Sequence, residues 1–579
     1  MTDHYRAAWN ELTAPGAPFA ITDIVVRGVS LKAFAGGPAD LRVIWEGAVA
    51  AHADKPYLVY EDEHYTYAEI GASVRSLAGY LRDTYGVGAG DRVALAMRNY
   101  PEWVIGYWAT ISLGAAVVGM NAWWTSGEME YALQDSQPSV LIADDERVAT
   151  VLPILEGLRA AKPLHLISVR SAHELPADSV RWHDVVDPAN APAQLPSATI
   201  DPDDDACIFY TSGTTGFPKG AQLTHRGSVA NILNIVFMLM ATAASEARAV
   251  AAGDRPAGSK AQLAPPTQSI SMVTTPLFHV TANNCGLQPS TLGGGCVVLL
   301  RRWDAGRALE LIEREGVTGM QGVPTMAREL LLHPDWATRD TSTLRGMSGG
   351  GAPVPPDLVG KIDKALPQGA PTTGYGLTET TGIVTANSAY NYLIRPSSCG
   401  PLVPTLEGKL VDPDGQDLPV DPDITGELWV RGSNVIKGYL NKPEATAAAI
   451  RDGWFATGDI ARIDDDGFVY IVDRAKDMVL RGGENVFCSE VEAVIYQHEA
   501  IAEAAVFGIP DERLGEEVAT AIVLRPGQTL TLEDLQGFLN GRIAKHKIPS
   551  RAMFLDQPLP RNASGKFLKK DLRAQLLAS

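Results

Sequence analysis

Cysteine is scarce in this chain of 579 residues, and the few cysteines are widely spaced. No two of them form a CxxC pair; they are Cys207, Cys285, Cys296, Cys399 and Cys488. Spacing of this kind is typical neither of a disulfide framework nor of a zinc site. The sequence therefore predicts free thiols in a reducing cytoplasm.

The chain also has fewer positively charged residues than negatively charged ones. The chain has 49 lysines and arginines against 68 aspartates and glutamates, which makes a formal net charge of −19. This balance argues against a nucleic-acid partner and against a basic face that docks on membranes. It leaves the substrate open, because a local positive pocket can lie within a negative protein.

A secretion signal and a long hydrophobic run are lacking as well. The first residues, MTDHYRAAWNELTAPGAPF, do not have the charged-then-apolar order of a signal peptide. The longest apolar run, residues 229–241, is interrupted by Asn231 and Asn234. It is shorter than the ~20 residues that cross a bilayer. We therefore expect a buried helix there and no transmembrane segment.

What the chain does contain is a long alternation of strand and helix patterns, and its length predicts two or more domains. Apolar strands alternate with helices over residues 55–323, which predicts parallel sheets covered on both faces. Short strands after residue 400 predict a smaller β-rich subdomain, and the composition of residues 242–266 predicts a surface insertion. We expect an α/β fold. Its large N-terminal domain, residues 1–475, contains two βα-layered subdomains and the β-rich one, and residues 476–579 form a small α+β C-terminal domain.

The segment 210–220, YTSGTTGFPKG, concentrates hydroxyls, glycines and a lysine between two apolar stretches. Small residues let backbone N–H groups approach an anion closely, and hydroxyls and a lysine add donors and positive charge. These properties suit a polyphosphate. The pattern is not the Walker loop, because Lys219 is followed by Gly220 rather than by Ser or Thr. The candidate nucleotide-binding residues of this loop are Thr211, Ser212, Gly213, Thr214, Thr215, Gly216 and Lys219.

This loop resembles the signature loop of the adenylate-forming enzymes, the superfamily of acyl-CoA synthetases, luciferases and adenylation domains. Six further segments resemble the same superfamily, in the same order along the chain. They are residues 276–279 (PLFH), 348–353 (SGGGAP), 374–379 (GYGLTE), 454–459 (WFATGD), 473–485 (DRAK and RGGEN) and 560–566 (PRNASGK). The resemblance extends over most of residues 55–573 and is greatest to the fatty-acyl-CoA synthetases.

The resemblance implies an ATP site built from several of these segments. The residues that match the loop lining one face of adenine are Gly350, Gly351, Ala352 and Pro353. The ring of Tyr375, which precedes Gly376, would lie against adenine, and Thr378 would contact the α-phosphate. Asp459 would bind the ribose, since a carboxylate can accept hydrogen bonds from both hydroxyls of a diol. Arg474 would contact the ribose as well.

The resemblance also implies the catalytic groups. Glu379 would bind Mg²⁺, with Thr211 as its neighbour, which agrees with the preference of Mg²⁺ for few carboxylates and for phosphate oxygens. Lys566 would be the catalytic lysine, and Thr378 and Glu379 would act beside it. His279 would lie next to the acyl substrate and orient its carboxylate.

Domain movement is a further implication. Lys476 matches the hinge of the superfamily, and the loop with Gly482 and Gly483 would swing to shape the tunnel for the CoA thiol. The chain departs from the usual pattern just afterwards, because Phe487-Cys488-Ser489 stands where a tyrosine–proline pair is often found. The details of the tunnel wall are therefore open, while the hinge is not affected.

The predicted reaction joins a carboxylic acid to CoA through an acyl-adenylate, with release of pyrophosphate and then AMP. A carboxylate must approach a polyphosphate, and at ~4 Å and an effective dielectric of about 20 each like-charge pair costs about 4 kcal/mol. Lys566, Mg²⁺ and the phosphate loop supply the counter-charge, so no nucleophilic triad is needed.

A medium- or long-chain fatty acid is the favoured substrate, because an apolar run follows the phosphate loop. An aromatic-acid CoA ligase and an adenylation module that loads a carrier protein are the alternatives. A luciferase-type oxygenase and a non-enzymatic nucleotide binder are weaker hypotheses. The expected partners are the acid, ATP and CoA, and residues 1–50 serve either internal packing or a homodimer.

Overall fold

The computed structural model describes residues 3–211, 218–255, 266–351, 354–482, 484–562 and 565–578. The first part of the chain forms helices α1 (Asp3–Thr13), α2 (Leu41–His52), α3 (Tyr67–Tyr85), α4 (Pro101–Ser112), α5 (Ser126–Ser136), α6 (Asp145–Ala161) and α7 (Trp182–Val185). Its strands are β1 (Ile21–Val26), β2 (Val29–Phe34), β3 (Pro56–Tyr60), β4 (Glu63–Thr66), β5 (Arg92–Ala96), β6 (Ala116–Gly119), β7 (Val140–Asp144), β8 (His165–Val169), β9 (Ser179–Arg181) and β10 (Asp205–Thr211).

The middle of the chain continues the same alternation. Its helices are α8 (His225–Ala251), α9 (Val280–Ala282), α10 (Gln288–Leu292), α11 (Ala305–Glu315), α12 (Pro324–Leu332), α13 (Pro356–Ala365) and α14 (Ala389–Ile394). Its strands are β11 (Lys219–Thr224), β12 (Ile270–Val273), β13 (Cys296–Leu299), β14 (Gly319–Gly322), β15 (Gly346–Gly350), β16 (Ala370–Leu377) and β17 (Gly382–Ser388).

The last part of the chain is richer in strands. Its strands are β18 (Gly400–Pro401), β19 (Leu406–Val411), β20 (Asp417–Leu418), β21 (Gly426–Gly432), β22 (Ile450–Arg451), β23 (Trp454–Ile463), β24 (Phe468–Arg474), β25 (Val479–Arg481), β26 (Glu484–Val486), β27 (Ile501–Asp511), β28 (Gly515–Leu524) and β29 (Arg551–Leu555). Its helices are α15 (Pro443–Ala449), α16 (Cys488–Ile495), α17 (Leu532–Leu539) and α18 (Lys569–Ala578).

Two large sheets carry the N-terminal part. One has the strand order β11-β10-β6-β5-β7-β8-β9 and the other β17-β16-β15-β14-β12-β13-β3-β4. Their inner pairs are parallel, and antiparallel partners close one edge of the first sheet and both edges of the second. The α/β prediction is therefore confirmed, with apolar strands buried between helices as parallel sheets require. Parallel strands place their carboxyl ends, and the loops that follow, at one edge of a sheet, where ligands bind.

Local sequence explains where individual helices begin and end. At the start of α3 the hydroxyl of Thr66 accepts from the backbone of Glu69, whose carboxylate accepts from the backbone of Thr66. The helix ends at Gly86, which adopts a left-handed conformation with φ +69°. A residue without a side chain takes this conformation without the usual steric cost.

The predicted surface insertion over residues 242–266 is wrong in its first half, because α8 continues to Ala251. This alanine-rich stretch has high helix propensity. Helix α1 also packs along α8, with the ring of Trp9 4.7 Å from that of Phe237 and an ion pair between Glu11 and Arg248. The N-terminal residues thus have an internal packing role.

Helix α8 is the one helix of the described residues that is long and apolar enough to cross a membrane, and more than half of that stretch is buried inside the protein. A core helix of a soluble protein passes the same test of length and composition. The buried helix expected at residues 229–241 is confirmed, although Leu239 is 62% exposed. The five cysteines are free thiols, as predicted.

The β-rich subdomain and the C-terminal unit also form as expected. The first is an antiparallel sheet with the order β18-β24-β23-β21-β19-β20, and the second is a five-stranded sheet in which β29 pairs in parallel with β28. Strand β24 ends at Arg474, and the turn that follows contains Lys476, the predicted boundary and hinge.

Candidate active site

A cavity of about 1260 Å³ lies where the two large sheets, the β-rich subdomain and the C-terminal loop before α18 meet. Twelve of the sequence-predicted residues line it. They are Thr211, Lys219, His279, Gly350, Gly351, Tyr375, Gly376, Thr378, Glu379, Arg474, Lys476 and Lys566. The structure therefore brings residues that are far apart in the chain to a single cavity.

The other predicted residues lie elsewhere or are not described. Asp459 lies behind the cavity wall, where it contacts Tyr375 and Arg474, two residues that line the cavity. Gly482 has φ +62° and donates its backbone N–H to the carbonyl of Leu514 at 2.7 Å, away from the cavity wall. Eight predicted residues lie outside the described ones: Ser212, Gly213, Thr214, Thr215, Gly216, Ala352, Pro353 and Gly483.

Asp459 is the centre of a buried polar group at the end of the cavity. The hydroxyl of Tyr375 donates to its Oδ2 at 2.6 Å, and Nε of Arg474 lies 3.1 Å from its Oδ1. The carboxylate is only 2% exposed, and burial raises the pKa of Tyr375 well above its ordinary value, so that the phenol stays protonated. Tyr375 thus orients Asp459 in addition to the stacking role predicted for its ring. Asp459 itself does not line the cavity, and its contact with a ribose stays a prediction.

Glu379 is held by a residue that sequence reasoning missed. The hydroxyl of Tyr439 donates to Oε1 of Glu379 at 2.9 Å. The Nζ of Lys219 lies 4.4 Å from the centre of the Tyr439 ring, where a cation is attracted by the π electrons. No motif singles out Tyr439 in the sequence, because its neighbours form an ordinary turn after β21.

The donor set around Glu379 fits a magnesium ion that arrives with a nucleotide. Within the described residues no group of three or more His, Cys, Asp or Glu side chains is placed to hold a metal. The cavity wall offers a metal ion only two protein ligands here, the carboxylate of Glu379 and the hydroxyl of Thr211. Mg²⁺ usually takes one or two carboxylates and completes its octahedron with phosphates and water.

Lys566 enters the cavity on a tight loop just before α18. Its backbone N–H donates to Oδ1 of Asn562 at 2.9 Å, and Gly565 adopts φ +83°. A side chain on Gly351, which has φ +75°, would come 3.9 Å from Cε of Lys566, so the lysine lies directly against the glycine loop. Burial, followed by the nearby charge of Arg474, lowers the pKa of Lys566 to about 8. The ammonium form still predominates at neutral pH.

His279 is neutral and has a defined tautomer. Burial, followed by the charge of Lys566, lowers the pKa of His279 to about 4. Its Nδ1 accepts from the backbone N–H of Thr281 at 3.3 Å at the start of α9. The proton of the neutral ring is therefore on Nε2, which can donate a hydrogen bond to a carboxylate.

A smaller basic cavity of about 470 Å³ adjoins the main one and shares Trp123, Pro276 and Phe278 with it. Arg98, whose side chain is 7% exposed, stacks on the ring of Trp123 at 3.8 Å. Its Nε and Nη1 are buried and have no hydrogen-bond partner among the described residues. Two further arginines complete this wall; they are Arg301 and Arg302.

Comparisons with known proteins show the family of the chain. Residues 45–440 match the AMP-binding enzyme family, and residues 490–566 match the AMP-binding enzyme C-terminal domain. The chain therefore belongs to the AMP-binding enzyme family, within the acyl-CoA synthetase superfamily. It is an enzyme, an AMP-forming acid–thiol ligase, and the resemblance noted in the sequence is confirmed.

Relatives and a solved structure extend over almost the whole chain. It is 37% identical over 512 residues to a feruloyl-CoA synthase of an Amycolatopsis species, covering 88% of this chain and 93% of that protein. It is 32% identical over 557 residues to a long-chain-fatty-acid–CoA ligase of Bacillus subtilis, covering 92% and 94%. The ATP-bound structure of MatB from Rhodopseudomonas palustris superposes with a TM-score of 0.77 at 29% identity, over 93% of this chain and 98% of that one.

Proposed function

We propose that this protein is an ATP-dependent CoA ligase for a hydrophobic carboxylic acid. The acid attacks the α-phosphate of ATP, which forms an acyl-adenylate and releases pyrophosphate. The CoA thiol then attacks the acyl carbon, which forms the thioester and releases AMP. The observation that carries this proposal is the convergence of Lys566, Glu379 and Arg474 on one cavity that also has an apolar wall.

Charge compensation is the main catalytic contribution that the cavity offers. The ammonium of Lys566 would lie beside the reacting phosphate and stabilise the charge that develops there. Thr378 and Lys219 add a hydroxyl and a second cation on the same wall. Mg²⁺, when it is bound with the nucleotide, neutralises phosphate charge, and Glu379 and Thr211 would hold it.

Orientation of the acid is assigned to His279. Because its ring is neutral with the proton on Nε2, it can donate a hydrogen bond to one carboxylate oxygen and leave the other free to attack. A charged ring would instead pair with the carboxylate and lower its reactivity. The low pKa of His279, about 4, ensures the neutral form throughout the physiological range.

An apolar wall supports a hydrophobic acid. It is formed by Ile235, Met238 and Leu239 of α8 and by Ile383 and Ala386 of β17. The wall extends along α8 toward Leu239, which is mostly exposed, so a medium- or long-chain fatty acid would find apolar contacts over its length. We favour such an acid as substrate.

An aromatic acid is the second candidate. The rings of Trp123 and Phe278 meet edge to face at 5.6 Å beside the cavity, an arrangement that can receive a third ring. The name of the Amycolatopsis relative, feruloyl-CoA synthase, also favours this class.

The basic cavity supports CoA rather than a carrier protein as the acceptor. CoA carries phosphates, and the Nε–H and Nη1–H groups of Arg98, which have no partner among the described residues, can donate charge-assisted hydrogen bonds to phosphate oxygens. A phosphopantetheine tethered to a carrier protein has only one phosphate, in a diester that links it to the protein.

The experiment is pyrophosphate release across a panel of acids, with and without CoA. The panel contains saturated fatty acids of increasing length and benzoic and cinnamic acids. Release that depends on both a hydrophobic acid and CoA supports the proposal, and the preferred acid selects between the two candidates. Absence of acid-dependent release would overturn it, and acid-dependent release without CoA turnover would point to a carrier protein.

A further inference from the structure

The two units of the protein are joined beside the hinge by a contact that the reaction so far does not use. Strand β24 ends with Asp473 and Arg474, just before Lys476. Helix α16 begins at Cys488, after the intervening strands β25 and β26. Oδ1 of Asp473 accepts from the backbone N–H of Arg474 at 2.8 Å. Its Oδ2 accepts from the backbone N–H of Cys488 in the other unit. Asp473 is only 8% exposed.

The backbone N–H that donates to Asp473 exists because residue 488 is a cysteine and not a proline. Cys488 is the first residue of α16, where backbone N–H groups have no partner inside the helix and the helix dipole attracts a carboxylate. Proline, which often stands at this point of the pattern, has no N–H to give. The bond to Asp473 is thus a consequence of the departure from the pattern noted in the sequence.

Neighbouring contacts fix the same junction. The hydroxyl of Ser489 donates to the carbonyl of Val472, which again joins α16 to β24. Within the C-terminal unit, Lys569, three residues after Lys566, forms an ion pair with Glu492 of α16 at 2.8 Å. Burial raises the pKa of Asp473 to about 6, and the positive charge of Lys569 limits this rise. The carboxylate is therefore ionised at neutral pH, as a strong acceptor must be.

We propose that the bond from the Cys488 N–H to Asp473 is a latch that holds the C-terminal unit in the orientation that places Lys566 in the cavity. Asp473 is then a positioning residue for adenylation, because it acts through Lys566 and does not touch the substrate. The inference rests on the proposed function, in which the second half-reaction needs Lys566 to leave. A rotation about Lys476 would carry Cys488 away with its unit and leave Asp473 on β24.

The test compares two variants at one position. Cys488→Pro removes the N–H, and Cys488→Ala keeps it while removing the thiol, whose contact with the carbonyl of Asp477 at 3.0 Å is lost in both. Proline is well tolerated at the first position of a helix. The preceding Phe487 is extended, with φ −82° and ψ 115°, as a residue before proline must be. Both variants should therefore fold.

The readouts are the two half-reactions, measured separately. In Cys488→Pro the acid-dependent pyrophosphate release should fall about tenfold, the usual loss for a hydrogen bond to a charged group. The rate of thioester formation from supplied acyl-adenylate should be unchanged or higher. Cys488→Ala should resemble the wild-type protein in both. Trypsin should also cut the hinge after Arg474 and Lys476 faster in Cys488→Pro than in Cys488→Ala.

The outcomes separate this inference from the proposed function. If the wild-type protein releases pyrophosphate with an acid but the two variants behave alike, the latch is wrong and the enzyme assignment stands. If both half-reactions fall equally in Cys488→Pro, while thermal unfolding matches that of Cys488→Ala, the contact has no selective role and the proposal is overturned. If the wild-type protein releases no pyrophosphate with any acid, the proposed function is wrong, and the latch proposal is overturned with it.

Discussion

The hydroxyl of Tyr439 donates a 2.9 Å hydrogen bond to Oε1 of Glu379, the carboxylate predicted to hold magnesium. Burial, and then the charge of Glu379, raise the pKa of Tyr439 well above its ordinary value, so the phenol remains a donor at every physiological pH. The same ring lies under the ammonium of Lys219. Tyr439 therefore fixes the rotation of Glu379 and links it to the phosphate loop.

Tyr439→Phe should weaken the binding of magnesium without disturbing the ring contact with Lys219. Residues that orient a metal ligand typically contribute about 10- to 100-fold in metal affinity or activity. We expect the magnesium concentration for half-maximal pyrophosphate release to rise by at least about tenfold on this basis.

The matched control is Tyr470→Phe. Its hydroxyl donates to Oδ2 of Asp464 at 3.0 Å in the β-rich subdomain, and Tyr470 does not line the cavity. Magnesium dependence in this variant should be that of the wild-type protein. An unchanged magnesium dependence in Tyr439→Phe would show that Glu379 needs no such support.

Adenylation should fall as the pH rises above about 8. Burial lowers the pKa of Lys566 to about 8, and the proposed catalytic form is the protonated ammonium. Activity is therefore complete well below this pKa and is lost as the pH passes through it. The value of kcat/KM for ATP reports the free enzyme and is the quantity to measure. In Lys566→Arg this alkaline decline should disappear, since a guanidinium keeps its proton.

Lys566→Ala should separate the two half-reactions. Removing a group that stabilises developing charge typically costs about 10²- to 10³-fold. We expect adenylation to fall by at least this factor, while thioester formation from supplied acyl-adenylate is retained. An equal loss in both half-reactions would contradict a lysine that acts in the first step alone.

Sequence reasoning located the residues that lie in short motifs, and physical reasons explain its limits. Lys566 and Glu379 each stand in a short motif, PRNASGK and GYGLTE, whose resemblance to the superfamily implies their roles. Tyr439 could not be found in this way, because its approach to Glu379 depends on tertiary pairing. The carbonyl of Glu379 accepts from the backbone N–H of Ile436 at 3.0 Å, and this bond brings the segment after β21 under the carboxylate.

Residues 242–251, which were predicted as part of a surface insertion but form the end of α8, show a second limit of prediction from the sequence. Composition alone cannot distinguish an alanine-rich loop from the end of a long helix, since the deciding contacts come from elsewhere in the chain. The last turns of α8 make such a contact with the N-terminal helix, where Glu11 pairs with Arg248, and a local one, where Glu246 pairs with Arg255 at 3.1 Å. By contrast, much of the alternation of strands and helices over residues 55–323 could be predicted, because the buried strands of parallel sheets are apolar. The elements before residue 55 were not predicted from the sequence.

Arg98→Ala should raise the KM for CoA and leave adenylation intact. The loss of a charge-assisted contact to phosphate should cost about tenfold in KM. Arg302→Ala is the matched control, because Arg302 lines the same cavity but its side chain is 62% exposed and well solvated. Its effect should be small, since solvent screens an exposed charge. If pyrophosphate release without CoA also falls in Arg98→Ala, the basic cavity supports the nucleotide site rather than CoA.

Lys476→Pro should depress one half-reaction selectively. Proline fixes φ near −65° and would restrict the rotation that is predicted for a hinge at Lys476. The turn itself is closed by the N–H of Asp477, which donates to the carbonyl of Arg474 at 3.0 Å, so its main hydrogen bond does not need the N–H of residue 476. Lys476→Ala removes the same charge without the restriction and is the control. If both half-reactions keep their wild-type rates in Lys476→Pro, the prediction of a hinge at this residue is wrong.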